Sequence, residues 1–292
     1  NLWKLFDDHV DSGIKFYRRN CLEFIPTVDI NLVTSVCCIF QSLTDPELNG
    51  KGIPWDDVEE ADKILGMTFA FAYAWGIGGN TNQDGLEKFD EFIHEELEDS
   101  VRIPGSSLYD VFVQISDGSM EPWKKNVPEF EYKPGASFFS MLVPTEDTVR
   151  FSFVMDICLD LGKSVLYTGP SGVGKSVVAL DLFARIEEPK RTVMLPVGFS
   201  AQTSSPQTQE TIEAKLEKRR KTIFGAPPGK KMILFVDDVN MPQKVTKKPG
   251  FSVGFLVRWV TNWMFLIDFY LPFTSYECSD STRVLTCIQT AR

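Results

Sequence analysis

One stretch constrains this chain more than any other: "YTGPSGVGKSVV", residues 167–178. It fits G-x-x-x-x-G-K-[ST] from Gly169 to Ser176, with the apolar run "SVLYT" before it and a helix-forming run after it. A strand feeding a glycine loop that opens a helix is a phosphate grip. A triphosphate carries several negative charges, and backbone N–H groups can hold them where the chain comes close. Gly169, Gly172 and Gly174 permit that approach, with Pro170, Ser171, Val173 and Val177 filling out the cradle. The helix starting near Lys175 aims the positive end of its dipole at the same place. Lys175 is expected to reach the β- and γ-phosphates, and the Ser176 hydroxyl to ligate Mg²⁺.

Such a site needs a second half, and "ILFVDD" at 233–238 supplies it. An apolar strand ending in Asp237 brings a carboxylate beside the loop, where it holds the metal from the other side. Asp238 stands where a water-activating Glu is common, and it is one methylene shorter. Between the two halves, "RTVMLPVGFS" (191–200) predicts another strand and 207–224 a polar helix. That helix carries "KLEKRRK", a run able to grip phosphate backbones. Glu210, Glu213 and Glu217 interleave with it at helical spacing, which favours a solvated face over a nucleic-acid surface. Strands alternating with helices predict a parallel sheet with its ligand at the strands' C-terminal ends.

Upstream the pattern is helical. Leu32, Val36, Ile39 and Leu43 recur at three- and four-residue steps behind Asp29, a candidate cap. A second helix is predicted from about Trp55 to Trp75, stopped by "GIGG" at 76–79. A third carries Leu86, Phe89, Ile93 and Leu97 on one face. "LYDVFVQISDGSMEPW" then reads as two strands around an Asp117-Gly118 turn. The net charge of −10 argues against general nucleic-acid binding, and the scattered cysteines of a chain without a signal region point to a reducing compartment. With only His9 and His94, a His-rich zinc site is not expected. The apolar stretch 255–273 is broken by Arg258, Asn262 and Asp268, so no membrane span is expected. The chain opens on "NLWKLFDDHV", as though cut from a longer one.

These motifs together carry a resemblance. "VPTEDTVR", "TGPSGVGKS", "FSAQTSSPQTQETIEAKLEKRRK", "GAPPGKK" and "FVDDVNMP" resemble the third AAA+ module of a dynein heavy chain, and the paired aspartates lean toward the axonemal branch. "LVTSVCCIFQSL", "FAFAYAWGIGGNTNQDGLEKFDEFI" and "PWKKNVPEFEY" are similar, in order, to the lid of the preceding module, so the likeness covers about residues 1–242. It implies an α/β fold, a P-loop AAA+ parallel sheet with flanking helices, preceded by a mostly helical lid domain. The expected divisions are a lid over 1–103, a hairpin and linker over 104–142, an incomplete nucleotide-binding core over 143–242 and a divergent tail of unknown fold over 243–292.

The resemblance also implies ATP and Mg²⁺ as ligands. Val143, Pro144 and Thr145 would sit beside the adenine, and Lys175, Ser176, Asp237 and Asp238 would take the phosphate, metal and catalytic roles. Expected partners are the other AAA+ modules of the heavy chain and, through the intact motor, intermediate and light chains and microtubules. No nucleic acid or membrane is expected, and the place is the cytoplasm and cytoskeleton of a ciliary axoneme. After Pro242 the family's pattern stops: no counterpart is legible for the strand bearing its polar γ-phosphate sensor or for the module's own lid. The neighbouring module's arginine finger, worth a factor of about 10³–10⁵ in rate, is not in the chain, so autonomous turnover is expected to be small. Two other readings are an independent P-loop ATPase acting on nucleic acid and a non-catalytic structural piece.

Overall fold

The computed structural model describes residues 2–130, 142–169, 172–218, 223–238, 241, 277–278 and 282–287. Contacts divide the chain into two units, Asn1–Ala136 with Val143–Leu161, and Ser137–Leu142 with Gly162–Arg292.

The first unit is helical. Its helices α1 (Leu2–Asn20), α2 (Asp29–Thr44), α3 (Val58–Gly78) and α4 (Gln83–Leu97) precede a hairpin, and α5 (Glu146–Asp160) returns to the bundle after it. On α2 the periodic Leu32, Val36, Ile39 and Leu43 are all buried, as their spacing predicts. Asp29 is the first helical residue rather than the cap; that position falls to Val28, in extended backbone. α3 and α4 have side-chain caps: Asp57 accepts from the N–H groups of Glu59 and Glu60, and Asn82 from that of Gly85. α3 is buried all round from Gly66 to Ala74, which makes it the central helix.

The "GIGG" stretch ends the helix as expected, but at its last glycines rather than its first. α3 runs through Gly76 and Gly78 and stops with Gly79 at its C-cap. A Cβ on Gly76 would lie 2.6 Å from the Val36 nitrogen, and one on Gly78 2.0 Å from the Tyr109 hydroxyl. Those two glycines therefore let neighbours approach the helix, a demand that local sequence does not reveal.

The hairpin pairs β1 (Val111–Gln114) with β2 (Ser119–Pro122), antiparallel, in the register Val111↔Pro122. A single 3₁₀ turn at Ile115–Asp117 links them, and Gly118 follows in the left-handed region at φ 57°. Trp123, fully buried, donates its indole N–H to the Tyr109 carbonyl at 2.9 Å. Thr145 and Thr148 cap the start of α5 reciprocally, and the buried Ser42 hydroxyl of α2 donates to the Ile157 carbonyl of α5 at 2.7 Å.

The second unit is built on a parallel sheet. In chain order come β3 (Leu166–Tyr167), α6 (Lys175–Ile186), β4 (Thr192–Gly198), α7 (Ser205–Glu213), β5 (Glu217–Lys218), β6 (Ile223–Gly225), β7 (Lys231–Asp237), β8 (Glu277–Cys278) and β9 (Thr282–Cys287). The main sheet has the order β3-β9-β7-β4, with every neighbouring pair parallel. On β7 the run Met232–Val236 is buried throughout, the mark of a strand covered on both faces. Met232, Leu234 and Val236 pack with Leu195, Val197, Phe199 and Ala226. Phe235, alternating to the other face, meets Phe183 of α6 edge-on with ring centroids 5.6 Å apart.

Two further corrections belong to this unit. The polar helix expected over 207–224 ends at Glu213; β5 and β6 pair antiparallel behind it, Glu217 opposite Gly225. Glu217 is thus a strand residue, and its helical pairing with the basic run is lost. The β-forming Ile223 and Phe224, stopped by Gly225 and followed by Pro227-Pro228, outweigh the local helix propensity of the charged stretch. The other correction lies in the tail, where the sequence shows no strand to complete the sheet. β9 enters between β3 and β7, pairing Met232↔Thr282 through Val236↔Thr286 on one side and Leu166↔Thr286 on the other. A parallel neighbour is chosen across a long connection, so nothing local announces it. The apolar stretch 255–273 lies outside the described residues, among which no helix is long and apolar enough to cross a membrane.

Candidate nucleotide-phosphate site

Because β3 and β7 run parallel in one sheet, their C-terminal ends lie at the same edge. β3 leads into the glycine loop, and β7 ends on Asp237. The loop's glycines hold backbone conformations that other residues rarely adopt: φ is 145° at Gly169, 83° at Gly172 and 87° at Gly174. A Cβ placed on any of the three would meet nothing within 4 Å. Their role is therefore conformational, to turn the backbone into a cradle with open space before it. Gly174 is also the N-cap of α6, and its carbonyl accepts the first helical bond, from Val178 N–H at 3.0 Å. Being glycine, Gly174 has no side chain with which to cap this helix start, and the N–H groups of such a start suit an anion.

Three side chains converge here. Lys175 folds its Nζ back across the loop to donate to the Gly169 carbonyl at 2.9 Å. The Ser176 Oγ donates to Asp237 Oδ1 at 3.0 Å. Asp238 donates its backbone N–H to that same Oδ1 at 3.1 Å. Burial raises the Asp238 carboxyl above the usual carboxylate range; Asp237 beside it adds to the rise, and Lys175 opposes it. Among the expected cradle residues, Val173 and Val177 are exposed, while Pro170 and Ser171 lie outside the described residues. Thr145 caps α5 in the helical unit, next to exposed Val143 and half-buried Pro144.

The donor set fits a hard divalent cation. A hydroxyl and a carboxylate oxygen 3.0 Å apart form the all-oxygen pair that Mg²⁺ takes, with the remaining positions left to phosphate oxygens and water. Among the described residues no cluster of three His, Cys, Asp or Glu side chains could hold a metal unaided. A metal here would therefore depend on its phosphate partner.

One participant escaped the sequence reading. Asp238 was expected to act through its carboxylate, yet its backbone is the unusual part: φ is 54°, in the left-handed region that few non-glycine residues enter. Its carbonyl accepts from Met241 N–H at 2.9 Å, closing a tight turn straight after the strand. The one available signal was the identity of the residue, because Asp enters that region more readily than most.

Comparison with known proteins finds a family match on each unit. Residues 2–125 match the dynein heavy chain AAA lid domain, and residues 130–250 match the P-loop containing dynein motor region. The chain is 42% identical over 242 residues to human dynein axonemal heavy chain 6, covering 82% of this chain and 6% of that protein. It is 33% identical over 292 residues to the dynein-1-beta heavy chain of the flagellar inner arm I1 complex of Chlamydomonas reinhardtii, covering 89% of this chain and 6% of the relative. Mouse dynein axonemal heavy chain 2 is 31% identical over 245 residues, 83% of this chain and 5% of its own length. With a helical lid, a parallel P-loop sheet and these relatives, the chain belongs to the dynein heavy chain family, as an AAA lid domain followed by a P-loop motor region.

Proposed function

We propose that this chain binds ATP with Mg²⁺ through the loop from Gly169 to Ser176, and that within a whole heavy chain the site serves ATP-driven movement along microtubules. The observation that carries the reading is the 3.0 Å contact between Ser176 Oγ and Asp237 Oδ1, at the sheet edge where the glycine loop opens α6. Lys175 would leave the Gly169 carbonyl for the β- and γ-phosphates, and the N–H groups of the loop and of the α6 start would hold the remaining phosphate oxygens. The metal, when bound, draws charge from the phosphates; Ser176 and Asp237 hold it in place. Val143, Pro144 and Thr145 would recognise the adenine by shape and backbone groups.

Asp238 would orient the attacking water. Its short side chain places the carboxylate farther from that water than a Glu would, so this segment alone binds nucleotide better than it turns it over. The lid and P-loop units are those of the second and third AAA+ modules, and their partners are the other modules of the same heavy chain. Intermediate chains, light chains and microtubules are reached through the intact motor. The axonemal names of the relatives support a place in the cilium. The experiment is a titration of labelled ATP against the wild type and Lys175→Ala. The wild type is expected to bind and the variant to lose about 10-fold or more in affinity, the scale of a charged hydrogen bond. Equal affinity in both would end the assignment.

A further inference from the structure

The helical unit holds a groove that the nucleotide reading does not use. It lies between the first half of α1, the first half of α3 and the turn after α4, with a volume of about 530 Å³. Small-molecule sites span about 300–1,000 Å³. Leu5, Leu65, Gly66 and Val101 give the groove apolar surface. Its charged side chains balance, with Asp8, Asp62 and Asp99 against Lys4, Lys63 and Arg102.

His9 also lines this groove, although it is only 9% exposed. Its Nδ1 faces Glu96 Oε1 of α4 at 3.3 Å, and the Ser12 hydroxyl donates to the same oxygen at 2.7 Å. A carboxylate oxygen can only accept. In a neutral imidazole the proton therefore sits on Nδ1, and Nε2 keeps its lone pair. Tyr73 fixes the backbone beneath, donating its hydroxyl to the His9 carbonyl at 2.7 Å, and Phe69 lies beside the ring with centroids 6.5 Å apart. Nε2 has no hydrogen-bond partner among the described residues. The sealed side-chain atoms in that state are Trp75 Nε1 and Arg150 Nε; the groove reaches His9 Nε2.

We propose that this groove binds a neutral aromatic group carrying one N–H or O–H donor, an indole or a phenol. The ring lies on the apolar surface and its donor is given to His9 Nε2. A near-buried acceptor calls for a donor, and this one is held in a single tautomer by Glu96. An ion of either sign would meet three like charges around the groove, whereas a neutral ring meets a balanced set. Free small molecules share this chemistry with the tryptophan and tyrosine side chains of a polypeptide. The proposal is independent of the nucleotide reading above.

The test uses the full 292-residue chain with ¹⁵N-labelled histidine, whose only imidazoles are His9 and His94. At about pH 8 the free protein is expected to show the His9 proton on Nδ1. Indole is expected to shift the His9 Nε2 resonance saturably, with His94 unmoved. Indene, which has CH₂ in place of the ring N–H, is expected to leave Nε2 where it was. In His9→Leu the preference for indole over indene should fall by about 5-fold, the scale of one neutral hydrogen bond. N-acetyltryptophanamide then separates the two sources. Tighter binding than indole supports a polypeptide side chain as the ligand, and weaker binding supports a free small molecule. A His9 proton on Nε2, no saturable shift with either N–H compound, or an equal shift from indene would overturn the proposal. All three are read on the wild type, so they stand even where the variant does not fold.

Discussion

Two sets of glycines set the two units of this protein apart. In α3 of the helical unit, Gly76 and Gly78 are hemmed in, and an added Cβ would come within 2.6 Å of the Val36 backbone or 2.0 Å of the Tyr109 hydroxyl. In the loop of the sheet unit, Gly169, Gly172 and Gly174 face open space on all sides of a would-be Cβ, yet each holds a positive φ. The first set serves close packing, with ordinary helical backbone. The second serves backbone shape, with no described atom within 4 Å of an added Cβ. One unit uses its glycines for close packing and the other for backbone shape. The same contrast runs through the aromatic residues. Trp123 and Phe71 lie within 6.4 Å of each other in the helical core, and Trp123 and Phe112 within 5.1 Å. Phe183 and Phe235 support the sheet behind the site rather than the site itself.

The sharpest way to break this contrast is to remove packing from the helical unit. Trp123→Ala deletes a fully buried indole and its bond to the Tyr109 carbonyl, and is expected to cost about 3–5 kcal/mol in urea unfolding followed by helical circular dichroism. A loss below about 1 kcal/mol would show that the core does not depend on it. Gly76→Ala comes next, with about 1–3 kcal/mol expected from forcing α2 and α3 apart. Its signature is lost stability with the ATP affinity of the remaining folded protein unchanged.

Gly174→Ala should give the opposite signature. The strain of a left-handed alanine is about 1–2 kcal/mol, and relaxing it would pull the cradle out of shape. ATP affinity is expected to fall several-fold while the unfolding of the helical unit is unchanged, and an unaltered affinity would remove the conformational argument for the loop. The smallest effect concerns charge. The Asp238 carboxyl is raised in the folded protein, so its ionisation counts against folding. That penalty is absent below the unfolded value of about 4 and fully present above the raised value. Asp238→Asn should therefore gain stability relative to the wild type as pH rises from about 4 to 7, by less than about 0.5 kcal/mol for a partly exposed group. A gain that grew as pH fell would reverse the sign and the cause.

Much of this could be read along the chain. The strand, loop and helix around Gly169–Ser176 and the strand ending at Asp237 are where the pattern predicts them, because each is announced by its own residues. The faces of α2 and α4 follow from three- and four-residue spacing. The boundary at Glu213 did not follow, since a charged helical stretch was overruled by strand pairing of Glu217 with Gly225 and Lys218 with Phe224. Neither did the course of α3 through Gly76, where the deciding contact is with Val36 on another helix.

Sequence alone determined that the chain carries a glycine loop of phosphate-binding pattern, a strand ending in paired carboxylates and a helical first hundred residues, because glycine spacing and hydrophobic period are local quantities. Tertiary structure alone decided that β9 closes the gap between β3 and β7, and that Ser176 and the Asp238 N–H meet on one oxygen of Asp237. Both depend on strand pairing, which seats β9 in the sheet and brings Ser176 to Asp237 from 61 residues away. Residues far apart in the chain impose these on one another, and no window of sequence contains them.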